Sequence, residues 1–189
     1  MLLNDPSPGA AGTPGRPRRF AVAGVSGVGK TTLARGIAAR LGVPHTETDA
    51  LFHGPGWTPR PEFLDDVRAA VAEDAWVMEW LYSAARPVIA GRADVLVWLD
   101  LPTRVTMTRV VRRTLGRRLR RTVLWNGNVE QPLHRVLRDP DHIVRWAWRT
   151  RHKLRDGLVA TTLAQHPHLQ VVWLRSRREA VAWLDALGR

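Results

Sequence analysis

Short apolar runs and amphipathic stretches alternate along the chain. Arg19 to Ala23 (Arg-Phe-Ala-Val-Ala) is an apolar run that reads as a buried strand. Thr31 to Leu41 then places Leu33, Ile37, Ala38 and Leu41 on one helical face, and Gly42-Val43-Pro44 stops that helix. His45 to Thr48 reads as a second strand ending at Asp49. Leu51 to Pro61, with three prolines and two glycines, predicts an irregular loop. Glu62 to Asp74 predicts a helix with Phe63, Val67, Ala70 and Val71 inward, and Ala75 to Met78 a third strand ending at Glu79. Residues 83–90 predict a short helix interrupted by Pro87. Asp94 to Leu99 is a strand ending at Asp100 and Pro102, and Thr103 to Arg121 a long basic helix. Residues 122–139 read as irregular, with a turn at Asn126-Gly127-Asn128. Asp141 to Thr162 reads as largely helical, Leu169 to Leu174 as the last strand, and Arg178 to Leu187 as a helix with Val181, Leu184 and Leu187 on one face.

Five short strands alternating with helices predict an α/β fold, a doubly wound five-stranded parallel sheet flanked by helices. Ligands of such sheets bind outside the carboxyl ends of the strands. Those ends carry Gly24, Asp49, Glu79, Asp100 and Arg175. Between the first strand and first helix, Gly24 to Thr31 reads Gly-Val-Ser-Gly-Val-Gly-Lys-Thr and meets every fixed position of G-x-x-x-x-G-K-[ST]. A chance match in a chain of 189 residues is on the order of 1%. The glycines let backbone N–H groups curl around a polyphosphate, and the following helix aims its N-terminus at the same anion. Gly24, Val25, Ser26, Gly27, Val28, Gly29, Lys30, Thr31 and Thr32 are the expected nucleotide-binding residues. Lys30 reaches the β- and γ-phosphates, and the Thr31 hydroxyl is placed for Mg²⁺.

Length and the 44% hydrophobic content suit one globular domain. Residues 1–16, rich in Pro, Gly and Ala, read as a disordered tail, so the domain spans 17–189. No run of about 18 apolar residues predicts a membrane span, and the start has neither the basic nor the apolar region of a signal peptide. Cysteine is absent, which excludes disulfides and thiolate chemistry and agrees with a cytoplasmic location. The net charge of +12 is concentrated. Arg104, Arg109, Arg112, Arg113, Arg117, Arg118, Arg120 and Arg121 fall in one stretch without an acidic residue, while Lys30 and Lys153 are the chain's lysines. That stretch is either a solvated basic face or an anion-binding surface, with nucleotide phosphates favoured over nucleic acid.

Asp49 is placed to accept a proton from an acceptor or to hold a water on Mg²⁺, or else to cap a helix. Glu79 and Asp100 both follow apolar strands, as a Mg²⁺-orienting acid does; Asp100 is equally a helix cap. Arg109, Arg113 and Arg117 share a helix face, and arginines on a mobile flap stabilise a transferring phosphoryl group. Arg149, Arg151, His152 and Arg155 form a second basic run, the flap's return limb. Trp76, Trp98, Trp173 and Trp183 are expected in the core. Trp57 is expected either to stack on a ring or to pack, and Trp146 and Trp148 to pack the flap. The seven histidines show no metal-ligand spacing. A GTPase is disfavoured because neither lysine lies in an Asn/Thr-Lys-x-Asp context.

The Walker A residues, Thr48 to Leu51, Pro55-Gly56-Trp57, Trp98 to Asp100, Leu124 to Asn128 with Glu130, and Trp146 to His152 together resemble the DNA topology modulation proteins, small P-loop proteins related to adenylate kinase. The resemblance runs from about Phe20 to the C-terminus. It implies a nucleoside-monophosphate-kinase fold with an acceptor flap near 49–75 and a lid insertion near 105–155. It implies ATP with Mg²⁺ and a small-molecule phosphoryl acceptor, with Asp49 facing that acceptor. Where that family has Asp-Gly-Asn-Tyr-Ser, this chain has Glu79-Trp80-Leu81-Tyr82-Ser83. Tryptophan in place of the glycine predicts altered acceptor specificity or lost transfer. The sequence therefore predicts an ATP-dependent kinase, with Lys30, Asp49, Arg109 and Arg113 catalytic and Thr31 and Glu79 serving Mg²⁺. The rival is an ATP-responsive nucleic-acid-binding protein. Oligomeric state is left open.

Overall fold

The computed structural model describes Leu2–Leu3 and residues 16–120, 122–128 and 142–187. Its strands are β1 (Leu2–Leu3), β2 (Arg19–Gly24), β3 (His45–Thr46), β4 (Trp76–Glu79), β5 (Val95–Leu99) and β6 (Gln170–Leu174). They form one parallel sheet in the order β1-β6-β5-β2-β4-β3. The five expected strands are β2 to β6. The two-residue β1 adds an edge by pairing with Val171 and Val172, so Leu2–Leu3 departs from the expected disordered tail. An open β6 edge presents unpaired N–H and C=O groups that two extended residues can satisfy. Residues 4–15, Arg121 and the lid segment 129–141 lie outside the described residues.

The helices are α1 (Lys30–Leu41), α2 (Thr48–Phe52), α3 (Phe63–Ala72), α4 (Arg86–Arg92), α5 (Thr103–Leu119), α6 (Ile143–Arg149), α7 (Val159–Gln165) and α8 (Arg177–Ala186). Strand residues alternate between two buried faces, as a sheet covered on both sides requires. Ala21, Ala23, Trp76, Met78, Trp80, Leu96 and Trp98 face α3 and α4 through Phe63, Val67, Val71, Ile89 and Ala90. Phe20, Val22, Val77, Val95, Val97 and Leu99 face α1 and α8 through Leu33, Ala34, Ile37 and Trp183. Because β2 lies between β4 and β5, its carboxyl end opens at the centre of the sheet.

Several expectations need correction. The second strand stops at Thr46, and Thr48–Phe52 is helical, so Asp49 sits in a first helical turn rather than directly at a strand end. Pro87 does not interrupt a helix: it lies in the first turn of α4, where no N–H partner is missing. On α8 the buried contact is Trp183, whereas Val181 is 50% exposed. Among the described residues Trp146 and Trp148, expected to pack the flap, are exposed, with Arg149 lying over the first ring at 5.2 Å and Arg151 over the second at 4.0 Å. Trp173 is half-buried, stacked on Trp98 at 5.1 Å.

Candidate phosphoryl-transfer site

The Gly24–Thr31 loop closes over the end of β2. Val28 N–H donates to Val25 O at 3.3 Å, and Leu33 N–H to Gly29 O at 3.0 Å. Gly29, at φ 109°, starts α1 in a left-handed conformation. Gly27, at φ 77°, has a different constraint: a Cβ there would lie 2.5 Å from both Thr106 O and Val110 Cγ2. Helix α5 therefore packs directly on the phosphate loop. It also delivers Arg109, whose Nη1 donates to Val28 O at 3.0 Å. Arg113, one turn on, is exposed but close enough to Lys30 to act on its charge. Thr32 is exposed at the start of α1, and Val25 and Ser26 are half-buried in the loop.

Lys30 Nζ donates to Val25 O at 3.2 Å. Burial pushes its pKa down to about 8. Asp49 and Glu79 oppose that fall, while Arg113 and Arg86 add to it. Lys30 is thus the meeting point of the phosphate loop, α2, the end of β4 and the basic helix.

Glu79 is 3% exposed. Its Oε2 accepts from the Thr48 N–H at 3.1 Å, and its backbone oxygen from Thr48 Oγ1 at 2.7 Å. His45 Nε2 lies 3.4 Å from Oε1, yet both atoms are buried without a properly formed hydrogen bond. Burial raises the Glu79 pKa, but His45, the Thr48 N–H and the Thr31 hydroxyl outweigh it and hold the carboxyl below its ordinary value. Thr31 and Glu79 are therefore brought together. An ionised carboxylate with one unsatisfied buried oxygen beside a threonine hydroxyl fits a Mg²⁺ ion that arrives with its nucleotide. Among the described residues no group of three or more His, Cys, Asp or Glu could hold a metal by itself.

Asp100, the other strand-end acid, has a structural task. It accepts from Arg155 Nε at 2.8 Å and from Trp173 Nε1 at 3.2 Å, pinning the lid's return limb to the sheet.

Beside α2, the Tyr82 hydroxyl donates to Asp49 Oδ1 at 2.6 Å and lies 3.1 Å from His53 Nε2. Burial first, and then Asp49, drive the Tyr82 pKa up, so the phenol stays a donor. Phe52 stacks on Tyr82 at 3.9 Å. Trp80 does not project here: its ring is 2% exposed on the core face shared with Trp76 and Met78, and its Nε1 donates to Arg86 O at 3.0 Å. Strand alternation dictates this, because Glu79 and Trp80 must face opposite sides.

Two tight turns, Pro55–Trp57 and Trp125–Gly127, close over this side. Asn128 ties them, accepting from Trp57 N–H at 3.0 Å and donating to Gly54 O at 2.9 Å and Trp125 O at 2.8 Å. Asn126 donates to His53 O, and Trp125 Nε1 to Glu47 Oε2 at 2.9 Å. Trp57 packs edge-on against His53 at 5.0 Å. The non-glycine residues with left-handed φ among those described are Trp57, Tyr82 and Asn126, all in this region. Such strain persists where surrounding contacts over-determine it, commonly at functional sites. His45, His53, Tyr82 and Arg86 were not singled out by spacing. Tyr82, the chain's one tyrosine, carried the only signal.

No family model matches the chain, so the resemblance to DNA topology modulation proteins is carried by its motifs alone. The cytidylate kinase of Oleidesulfovibrio alaskensis is 56% identical over 34 residues, 18% of this chain and 16% of that enzyme. The cytidylate kinase of Nitratidesulfovibrio vulgaris strain DP4 is 48% identical over 42 residues, 22% of this chain and 18% of that enzyme. The chain thus matches under a fifth of the length of these relatives. Shikimate kinase from Acinetobacter baumannii superposes with a TM-score of 0.52 at 15% identity, covering 90% of each chain. A gluconokinase from Sinorhizobium meliloti 1021 superposes at 0.49 and 21% identity, covering 91% of this chain and 94% of its own. The parallel sheet, the phosphate loop and the superposition on shikimate kinase together show that the chain has a P-loop kinase-like fold.

Proposed function

We propose that the protein is an ATP-dependent phosphotransferase acting on a nucleotide or similar small molecule. The observation that supports this reading is that Glu79, beside Thr31, and Asp49 both lie close enough to Lys30 of the phosphate loop to act on its charge. Lys30 and the loop N–H groups hold the β- and γ-phosphates, and Arg109 and Arg113 offset the charge of the transferring group. Thr31 and Glu79, the latter through water, would hold Mg²⁺, whose charge neutralises the phosphates. The acceptor oxygen forms its bond to the γ-phosphorus as the bond to the β,γ-bridging oxygen breaks, and the electron pair leaves with ADP. A hydroxyl acceptor gives its proton to Asp49, whose Oδ1 is already held by Tyr82. A phosphate acceptor has no proton to give, and Asp49 then only orients.

The test is ADP release from ATP and Mg²⁺ over a panel of nucleoside monophosphates, nucleosides and hydroxy acids. Acceptor-stimulated turnover is expected. Lys30→Ala should abolish it, and Asp49→Asn should lower kcat by roughly 10²–10⁴ with little change in the KM for ATP. Turnover retained in Lys30→Ala overturns the assignment. A second reading, nucleic-acid binding, draws on the exposed Arg104, Arg112, Arg118 and Arg120 and the exposed Trp146 and Trp148. It requires DNA or RNA affinity that falls steeply with salt, and absence of affinity at low salt removes it.

A further inference from the structure

Helix α5 carries a second stripe beside the one that meets the phosphate loop. Thr106, Val110 and Arg109 face that loop. Helical spacing puts Arg104, Met107, Val111, Leu115 and Arg118 together on another side, apolar in the middle and basic at both ends. Val111 and Leu115 are 37% and 38% exposed. Helix α6 packs alongside α5. A cavity of about 430 Å³ there is lined by Met107, Val144, Arg145, Trp148 and Arg149, a volume in the range of ligand sites. Trp148 is 54% exposed. Arg151 lies over its ring at 4.0 Å and donates from Nη1 to the Trp148 carbonyl at 2.6 Å. A cation thus backs one face of the indole and leaves the other for a stacking partner.

The walls select the charge of the occupant. No acidic residue falls between Asp100 and Glu130 or between Asp141 and Asp156, so neither helix presents an acid. A second copy of this chain, itself at +12, would set like charges face to face. An aromatic ring among guanidinium groups, over an apolar floor, is the combination on which unpaired bases stack while cations follow the phosphates. Bases inside a duplex offer no free face to such a ring, and an acidic peptide would use the cations without needing it. We propose that the groove between α5 and α6 binds single-stranded nucleic acid, with one base against Trp148 in the cavity and the backbone phosphates met by Arg104, Arg118, Arg145 and Arg149. This deepens the nucleic-acid reading, rests on it for the class of partner, and is independent of phosphotransfer.

The experiment follows a fluorescent oligodeoxythymidylate by anisotropy at rising salt, with a duplex of the same length and poly-glutamate as competitors. The wild-type protein should bind the single strand in preference to the duplex. Trp148→Ala should weaken binding roughly 5–100-fold, with the salt slope unchanged and a cooperative melt. Trp148→Phe, which keeps a ring, should recover part of the loss. Arg104→Gln and Arg118→Gln should each lower the salt slope by about 0.7. Saturating Mg²⁺ and β,γ-methylene-ATP should shift the affinity by less than about twofold, because the phosphate loop is met by the other side of α5. No binding at low salt overturns this inference together with the nucleic-acid reading. Binding that is indifferent to Trp148→Ala, equal for duplex and single strand, or competed by the nucleotide overturns this site and keeps that reading. Displacement by poly-glutamate as effective as by unlabelled oligonucleotide overturns it in favour of an acidic protein segment.

Discussion

His53 shows how a single buried group reports on the acceptor side. Burial lowers its pKa below 6.5, Asp49 opposing the fall. Between that lowered value and 6.5 the unfolded chain holds more protons than the native one. Unfolding free energy therefore rises with pH through this window, is fully present above 6.5, and is lost as pH falls through the native pKa. Glu79 and Asp94, both held below their ordinary values, act in a separate window: their contribution is present above the ordinary carboxylate pKa and is lost in acid. Urea titrations at about pH 5 and 7 should show a stability rise that His53→Gln flattens by up to one proton. An unchanged slope would remove His53 as the titrating group. Lys30 follows the same logic of burial, which depresses its pKa to about 8.

At the scale of the element, the segment after β4 joins two functions that strand alternation separates. Glu79 faces the phosphate loop and Trp80 the core. Placing at Trp80 the glycine of the DNA topology modulation proteins that the motifs resemble removes a ring buried to 2% and its hydrogen bond to Arg86 O. Trp80→Gly should destabilise the protein by about 3–5 kcal/mol and should not raise turnover with any acceptor. Chemical denaturation measures the first effect and ADP release the second. A stable, more active variant would return Trp80 to the acceptor pocket. Helix α5 is a second example. Its arginines read as one basic stripe, yet contact with Gly27 sets Arg109 against the loop, where it donates to Val28 O.

At the scale of the molecule, the Pro55–Trp57 and Trp125–Gly127 turns meet through Asn128. Three hydrogen bonds from one buried side chain span the Gly54–Trp57 and Trp125 turns. Closure of this kind excludes water from a transferring phosphoryl group. Asn128→Ala should loosen the clamp, raising acceptor-independent ATP hydrolysis relative to transfer by roughly fivefold to tenfold. Equal loss of both rates would instead make Asn128 a folding residue. No helix among the described residues is long and apolar enough to cross a membrane.

Local chemistry sufficed for the first, third, fourth and fifth expected strands and for the phosphate loop between the first strand and the first helix. Apolar runs, glycine spacing and strand-end acids are short-range signals whose physical consequences stay local, and β2, α1 and β5 fall where they predict. How the two strand-end acids differ in their surroundings was not local. Glu79 and Asp100 look alike in sequence, and only the packing of Thr31 and Thr48 against one, and of Arg155 and Trp173 against the other, separates them. The Asp49–Tyr82–His53 contacts and the unpartnered Arg86 are likewise products of tertiary structure. They join residues from α2, from the turn beside it and from the segment after β4, and burial there lowers the pKa of His53 and Arg86 and raises that of Tyr82.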